Sequence, residues 1–269
     1  MADGEGSDVA ILKLDFLGFP TRDVLDDVLE KARRLEAHFS HALDISWDVT
    51  EETARLGYYF GREYGSLHIA NRKGTYASTE RVHHIAYTPR LVLRDAWHLA
   101  HYLNLNQIEI TLTDPATVSS EISDAARHSH AYCTAITVVG LPLFFQETHL
   151  LEGRAREETR SVMRAWREHR EAMARTFKFP LGAEPDGASW TGFQCHDPET
   201  GAGYALVFRE IGAREPSGRF PLHFLKGRAL RWEDVMSGEQ WEASGGEPEL
   251  ACGIAEAPGF RWLRYEPVA

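Results

Sequence analysis

Two carboxylates at the ends of short apolar runs are the residues of this sequence best placed to do chemistry. The first run, Val9-Ala-Ile-Leu-Lys-Leu-Asp-Phe16, is β-branched at its start and ends at Asp15, as a buried parallel strand does. The second, Leu43-Asp-Ile-Ser-Trp-Asp-Val49, ends at Asp48. An acid at the carboxyl end of a parallel barrel strand points into the face where such barrels hold their active sites. Lys13 and Asp15 share a parity, so they share a face. A buried lysine–carboxylate pair costs desolvation unless the charges are paired or used. The competing reading of a strand-end acid is a helix cap or turn former.

The elements that would position these residues follow from periodicity. Thr21 caps a helix in which Val24, Leu25, Val28, Leu29, Ala32, Leu35 and Phe39 recur at helical spacing. Asp23, Asp26 and Asp27 fill its first turns, with Lys31, Arg33 and Arg34 later, as the macrodipole prefers. Gly65–Asn71 and Asn106–Leu112 read as the third and fourth strands, and Tyr132–Val139 as a fifth, with Gly140 and Pro142 at its exit. Helices are expected over Arg90–Leu103 and Arg154–Phe177. Strands separated by helical stretches imply parallel crossovers. The fold class is therefore α/β, with residues 1–182 forming the later strand–helix units of a (β/α)8 barrel. Five strands do not close such a barrel.

Composition shifts near Phe179-Pro-Leu-Gly182, beyond which Gly and Pro recur and no helix-length pattern appears. Short strands are expected at Ser189–Gln194, Gly203–Arg209, Arg219–Phe224 and Phe260–Tyr265, so 183–269 reads as an antiparallel β-sandwich.

Charge and composition exclude several classes. A formal net charge of -11 argues against nucleic acid or an anionic membrane as partner and suits a neutral ligand. Cys133, Cys195 and Cys252 form no C-x-x-C pair and make a poor disulfide framework. The acidic N-terminus lacks the features of a secretory signal, and no apolar run reaches the ~20 residues of a membrane span, so a cytoplasmic protein is expected. No phosphate loop or G-x-S-x-G elbow follows a strand. Of the 13 histidines, His98 and His101 are three apart on a helix. They are a metal pair only with a third ligand, which the sequence does not supply at a recognisable spacing. Packing or surface roles are expected for them and for His38/His41, His83/His84 and His128/His130.

Ile11-Leu-Lys-Leu-Asp-Phe16 resembles the nucleophile strand of the alpha-galactosidase (melibiase-like) clan of retaining glycosidases, which carry Lys-x-Asp at the end of the fourth barrel strand. Gly61-Arg-Glu-Tyr-Gly65, Ala70-Asn-Arg72, Arg94-Asp-Ala-Trp97, Gly187–Gln194 and Tyr204-Ala-Leu-Val-Phe-Arg-Glu210 resemble later segments of large bacterial members, so the likeness runs over about 9–265. The resemblance implies hydrolysis of O-glycosidic bonds of a carbohydrate substrate, without a metal or other cofactor. It makes Asp15 the nucleophile, Lys13 a sugar-binding lysine and Asp48 a sugar-contacting carboxylate. A retaining mechanism needs a second carboxyl group roughly 5–5.5 Å from the first. The clan supplies it after the sixth strand, but Ile69-Ala-Asn-Arg-Lys-Gly-Thr75 contains no acid. Glu63, Glu80, Asp95 and Asp48 are the candidates, Asp48 and Glu63 first. Arg72 either hydrogen-bonds sugar hydroxyls or pairs with a surface acid. Trp47 has the opposite parity to Asp48 and is a packing residue or a sugar-stacking face.

If Asp15 ends strand four, three strand–helix units that precede it in the clan are missing. The expectation is then a truncated relative whose unpaired sheet edges favour self-association. The alternative is a non-catalytic carbohydrate-binding or assembly protein built on a glycosidase scaffold.

Overall fold

A computed structural model describes residues 11–14, 21–39, 44–48, 65–68, 87–121, 123–146, 148–245 and 248–268. The chain divides into two units, 1–71 with 107–110, and 72–106 with 111–269.

The first unit carries strands β1 (Ile11–Leu14), β2 (Asp44–Asp48) and β3 (Gly65–His68), helix α1 (Arg22–His38) and the start of β4 (Ile108–Leu112). Thr21 caps α1 as expected, accepting the amide of Val24 at 3.4 Å, and Asp23 occupies its first turn. β1 pairs with β2, β2 with β3 and β3 with β4, each in parallel. With β5 (Leu141–Phe144) the sheet runs β1-β2-β3-β4-β5. Strands that follow sequence order without reversal are singly wound, as in a (β/α)8 barrel, whereas a doubly wound sheet has a switch point. The alternation of strand and helix is therefore that of consecutive barrel units. Gly65, at φ +151, belongs at the mouth of β3 for a steric reason: a Cβ there would lie 2.0 Å from the Ile45 carbonyl oxygen.

In the second unit, helices α2 (Pro89–Leu99), α3 (His130–Thr137) and α4 (Gly153–Ala174) accompany β5. One expectation fails here. Tyr132–Val139 is not the fifth strand but lies in α3 and the turn after it, and the strand is Leu141–Phe144. The β-branched residues Thr134, Ile136, Thr137, Val138 and Val139 mimic a buried strand. The deciding signal is local. Ser129 accepts the Tyr132 amide at 3.1 Å, and the Thr134 hydroxyl donates to the His130 carbonyl at 2.6 Å, closing a helical turn. Burial on every side, from Tyr132 to Thr137, lets a β-branched run stay helical.

The remaining strands are β6 (Phe177–Gly182), β7 (Trp190–His196), β8 (Gly203–Arg209), β9 (Ser217–Pro221), β10 (Leu230–Asp234), β11 (Gln240–Ala243), β12 (Glu249–Gly253) and β13 (Gly259–Pro267). Six form an antiparallel sheet, β11-β10-β13-β8-β7-β6, and β12 pairs with β9 in a second. Ala205, Val207, Trp232, Leu263 and Tyr265 of the larger sheet meet Phe220, Leu250 and Cys252 of the smaller in one apolar core, which is a β-sandwich. Periodicity missed β10, β11 and β12, whose burial alternates only over short stretches. The first strand of the sandwich sheet, β6, precedes residue 183. Cys133, Cys195 and Cys252 are free thiols, all buried.

Three charged side chains bind backbone groups of this unit. Arg209, at the end of β8, is 7% exposed. Its guanidinium donates to the carbonyls of Ala213, Arg214, Ile254 and Ala255 at 2.8–3.2 Å, holding two loops with one planar fork. Its neighbour Glu210 accepts the amides of Asp186, Gly187 and Ser189 at 3.0, 2.8 and 3.1 Å, which fixes the entry to β7. Lys178 on β6 is buried, and its ammonium donates to the Met173 carbonyl at 2.6 Å, to the Thr176 carbonyl at 3.3 Å and to the Asn106 side chain.

Arg209→Lys replaces a five-donor fork with a point charge and strands carbonyls of both loops. It is expected to lower unfolding free energy by about 2–3 kcal/mol in chemical denaturation. Burial depresses Lys178 to about 8, against a partial opposing effect of Cys195. The unfolded chain then holds the lysine proton up to its ordinary value of 10.5 while the folded chain releases it near 8. Stability from this group is therefore withheld at pH 7 and gained as pH rises from about 8 to about 10. Paired denaturation curves should show the wild type gaining on the order of 2–3 kcal/mol relative to Lys178→Met over that interval. A pH-independent difference would show that the ammonium is as well solvated by its three oxygens as by water.

Candidate active site

Strand parity in the first unit separates two chemistries. Leu12, Leu14, Ile45, Trp47, Leu67 and Ile108 are linked by register and share one face. Lys13, Ser46, Asp48, Ser66, His68 and Glu109 share the other. Register alone thus sets a polar row and an apolar row on opposite faces of the sheet. In the polar row Asp48, Ser66, His68 and Glu109 are 3%, 4%, 0% and 9% exposed, and such groups are retained in a core only where they are paired or used.

The row is internally connected. Lys13 Nζ donates to Asp48 Oδ2 at 2.9 Å, with the lysine side chain 36% exposed and that of the aspartate 5%. The row thus opens toward water at Lys13. Ser66 Oγ donates to Glu109 Oε1 at 2.5 Å. His68 Nδ1 faces Glu109 Oε2 at 3.8 Å, beyond hydrogen-bond range. Glu109 Oε2 is buried and takes no hydrogen bond. Its charge reaches Asp44, whose carboxyl is pushed up first by burial and then by Glu109. Chemically, this is an ammonium, an imidazole and two carboxylates on three strand intervals. It can bind hydroxyls, stabilise a developing cation and move protons.

Of the residues singled out from sequence, Lys13 and Asp48 are brought together. Asp15, Glu63 and Arg72, like Glu80, lie outside the described residues. Asp15 is the residue that follows Leu14, the last of β1, and Leu14 is in register with Trp47. Trp47 is fully buried on the apolar face among Ile45 and Leu67, its indole N–H without a hydrogen-bond partner. Asp95 lies on α2 in the other unit. Sequence reasoning missed His68, Ser66 and Glu109. Glu109 had a readable signal: it is an acid between Ile108 and Ile110 in an otherwise apolar strand.

Among the described residues no group of three or more His, Cys, Asp or Glu side chains could hold a metal ion. His98 instead pairs with Glu184 at 2.9 Å, and His101 packs edge-on against Trp97 with centroids 4.6 Å apart. No helix among the described residues is long and apolar enough to cross a membrane.

No family model matches the chain, and no curated protein matches it. Solved structures do. The galactosidase domain of the alpha-galactosidase–sucrose kinase AgaSK superposes with a TM-score of 0.58 at 12% identity, over 94% of this chain and 38% of that one. The GH36 alpha-galactosidase AgaB from Geobacillus stearothermophilus gives 0.56 at 13% identity, over 94% and 39%. An alpha-amylase from Geobacillus thermoleovorans, in complex with acarbose, gives 0.56 at 10% identity, over 96% and 60%. The chain spans about two fifths of the length of the two galactosidase structures. At these identities the likeness is one of fold, a parallel α/β sheet like part of a barrel together with a β-sandwich. The chain has a glycoside-hydrolase-like fold, of the kind that the melibiase-like alpha-galactosidases share.

Proposed function

We propose that this chain carries the sugar-binding and nucleophilic part of a retaining alpha-galactosidase-type hydrolase. The observation that supports it most is the Lys13–Asp48 ion pair at 2.9 Å on the polar face, at the carboxyl ends of adjacent parallel strands. That is where barrel enzymes do their chemistry. Asp15 follows directly in sequence the last residue of the strand that carries Lys13.

Each residue has a role that follows from its type. Asp15 attacks the anomeric carbon, since a carboxylate splits hydrolysis into formation and breakdown of a glycosyl ester. Lys13 and Asp48 bind sugar hydroxyls as a donor and an acceptor held at fixed separation. Burial of Asp48 strengthens that contact, because few waters compete for it. Glu63 and Arg72 stay in the proposal as further acid and hydroxyl-binding candidates, and Trp47 supports the strand from its apolar side. The chemistry is carried by carboxylates and requires no cofactor. The ligand is a neutral carbohydrate, in keeping with a net charge of -11.

Release of nitrophenol from nitrophenyl alpha-galactoside by the purified chain tests this reading. Asp15→Asn is expected to remove activity by about three orders of magnitude or more, as loss of a nucleophile does. Lys13→Met and Asp48→Asn should raise KM and lower kcat/KM by about 10–100-fold, the cost of losing a charge-assisted contact to a sugar hydroxyl. Activity indifferent to Asp15→Asn would discard that residue as nucleophile.

A further inference from the structure

Four segments of the second unit surround a cavity of about 530 Å³. They are the turn after β4 (Ala116), the stretch Ala126–His130 that leads into α3, the start of α4 (Arg154, Ala155 and Glu158) and the β12–β13 connection (Glu256–Pro258). We propose that this cavity is a second binding site, for a neutral carbohydrate ring, whose hydroxyl is received by Nε2 of His128. It is built from residues of the second unit alone and shares none with the row that holds Lys13 and Asp48.

His128 is 7% exposed and lines the cavity. Its ring packs on Tyr132, centroids 5.1 Å apart, which is the packing role expected of it from sequence. Its two nitrogens differ. Nδ1 lies 3.0 Å from the Asp124 carbonyl oxygen. A carbonyl only accepts, so Nδ1 carries the proton. Burial holds the ring below its ordinary titration range, so near pH 7 it is neutral and Nε2 is a bare acceptor. Nε2 has no hydrogen-bond partner among the described residues, and it is not one of the sealed unpaired atoms of the fold, so it is reached from the cavity. An acceptor left open on an otherwise buried ring is satisfied by a hydroxyl that enters.

The remaining groups fix the kind of ligand. Ser129 Oγ accepts the Tyr132 amide at 3.1 Å, which leaves its O–H to donate. Glu158 occupies the amino end of α3, accepting the Ala131 amide at 3.3 Å, and it also accepts Arg154 Nε at 2.5 Å. An anion is thereby denied the helix end. His130 is engaged too, its Nε2 2.9 Å from Asp114 Oδ1. Arg127 and Arg154 are matched by Glu158 and Glu256, so the formal charge of the wall balances and favours an uncharged ligand. Ala116, Ala126, Ala155, Ala257 and Pro258 add small apolar surfaces between these polar groups. The cavity thus offers a hydroxyl donor, a ring-nitrogen acceptor, guanidinium donors and carboxylate acceptors beside apolar patches. A pyranose matches that set: it is neutral, each hydroxyl both donates and accepts, and its C–H face is apolar. The volume falls within the roughly 300–1,000 Å³ of small-molecule sites.

Titration of the full chain with methyl alpha-galactoside, methyl alpha-glucoside and maltose, followed by NMR at the ring nitrogens of His128, tests it. At least one sugar should bind with a Kd on the order of 1–10 mM, the range of a small site that immobilises a flexible polar ligand, and should move the Nε2 resonance as an accepted hydrogen bond does. Ala126→Trp, at an exposed position on the wall, fills the cavity and should abolish that shift without changing the denaturation midpoint. His128→Phe keeps the packing on Tyr132 but removes the acceptor. It should weaken binding about 3–10-fold, read from the backbone amides of Ala126 and Arg127. Lys13→Met should leave the His128 shift in place, so failure of the hydrolase reading and failure of this one are separable. Sugars that leave Nε2 unmoved, a shift that survives Ala126→Trp, or one lost with Lys13→Met overturn the site. Tighter binding of sulfate or glycine than of any of the sugars overturns the assignment to a neutral carbohydrate.

Discussion

Asp48 and Lys13 set the terms for the first unit. A carboxylate with 5% of its side chain open to solvent has lost most of its hydration, and the Lys13 ammonium at 2.9 Å is among the groups that compensate it. Breaking a buried pair costs about 3–5 kcal/mol because one uncompensated charge is left inside. Replacing both partners with apolar groups of similar shape is often neutral or stabilising. Stability alone therefore does not explain why charges occupy this face. The neighbouring positions sharpen the point. Ser46, Ser66, His68 and Glu109 extend the polar row over two more strands, and the apolar row on the opposite face has no such exception. A sheet that packs well on one side and concentrates polar groups on the other has its polar side given over to something besides packing.

The second unit solves a different problem with similar means. Its sandwich has an apolar core, but its loops are fixed by buried charge. Arg209 and Glu210, adjacent at the end of β8, point their polar ends to opposite loops, one satisfying carbonyls and the other amides. Each backbone group so bound is one that would otherwise need water. Trp97 on α2 donates its indole N–H to the Leu181 carbonyl on β6, and Tyr132 on α3 packs edge-on against Phe208 on β8, centroids 5.4 Å apart. Helices and sandwich in this unit thus share one interior.

Much of the fold was legible in the sequence because period and capping agree. α1 shows both: apolar residues at helical spacing and a Thr21 cap. β1, β2 and β3 were legible from short apolar runs ending in polar residues. The failure at Tyr132–Val139 has a clear origin. Thr, Ile and Val in series carry strand propensity, and that propensity is overridden when a helix is buried all round and a serine caps it. The strands β10–β12 are no shorter than β1 and β3; they escaped because charged or polar residues interrupt β10 and β11 and only Leu250–Cys252 forms an apolar run in β12.

The candidate site was legible only in part, and the reason is geometric. Lys13 and Asp48 are 35 positions apart; Asp48 stood at a strand end, where sequence reasoning looks for acids, and Lys13 entered by its parity with Asp15. Glu109 sits second in its strand, not at the carboxyl end. Stagger explains its membership of the row: register places it beside His68, the final residue of β3, although it begins β4. In a sheet whose strands tilt as they close, a row perpendicular to the strands climbs through successive levels of the barrel. A rule that searches only strand ends follows one level, and it misses groups that the register carries across levels. Reading parity and register together would have placed Glu109 with Asp48, because every member of the row has one feature visible in sequence: a polar residue flanked on both sides by apolar ones or by the end of the strand. Applied to the third and fourth strands, that criterion selects Ser66, His68, Glu109 and Thr111, of which Ser66 donates to Glu109 at 2.5 Å and His68 Nδ1 lies 3.8 Å from the other carboxylate oxygen.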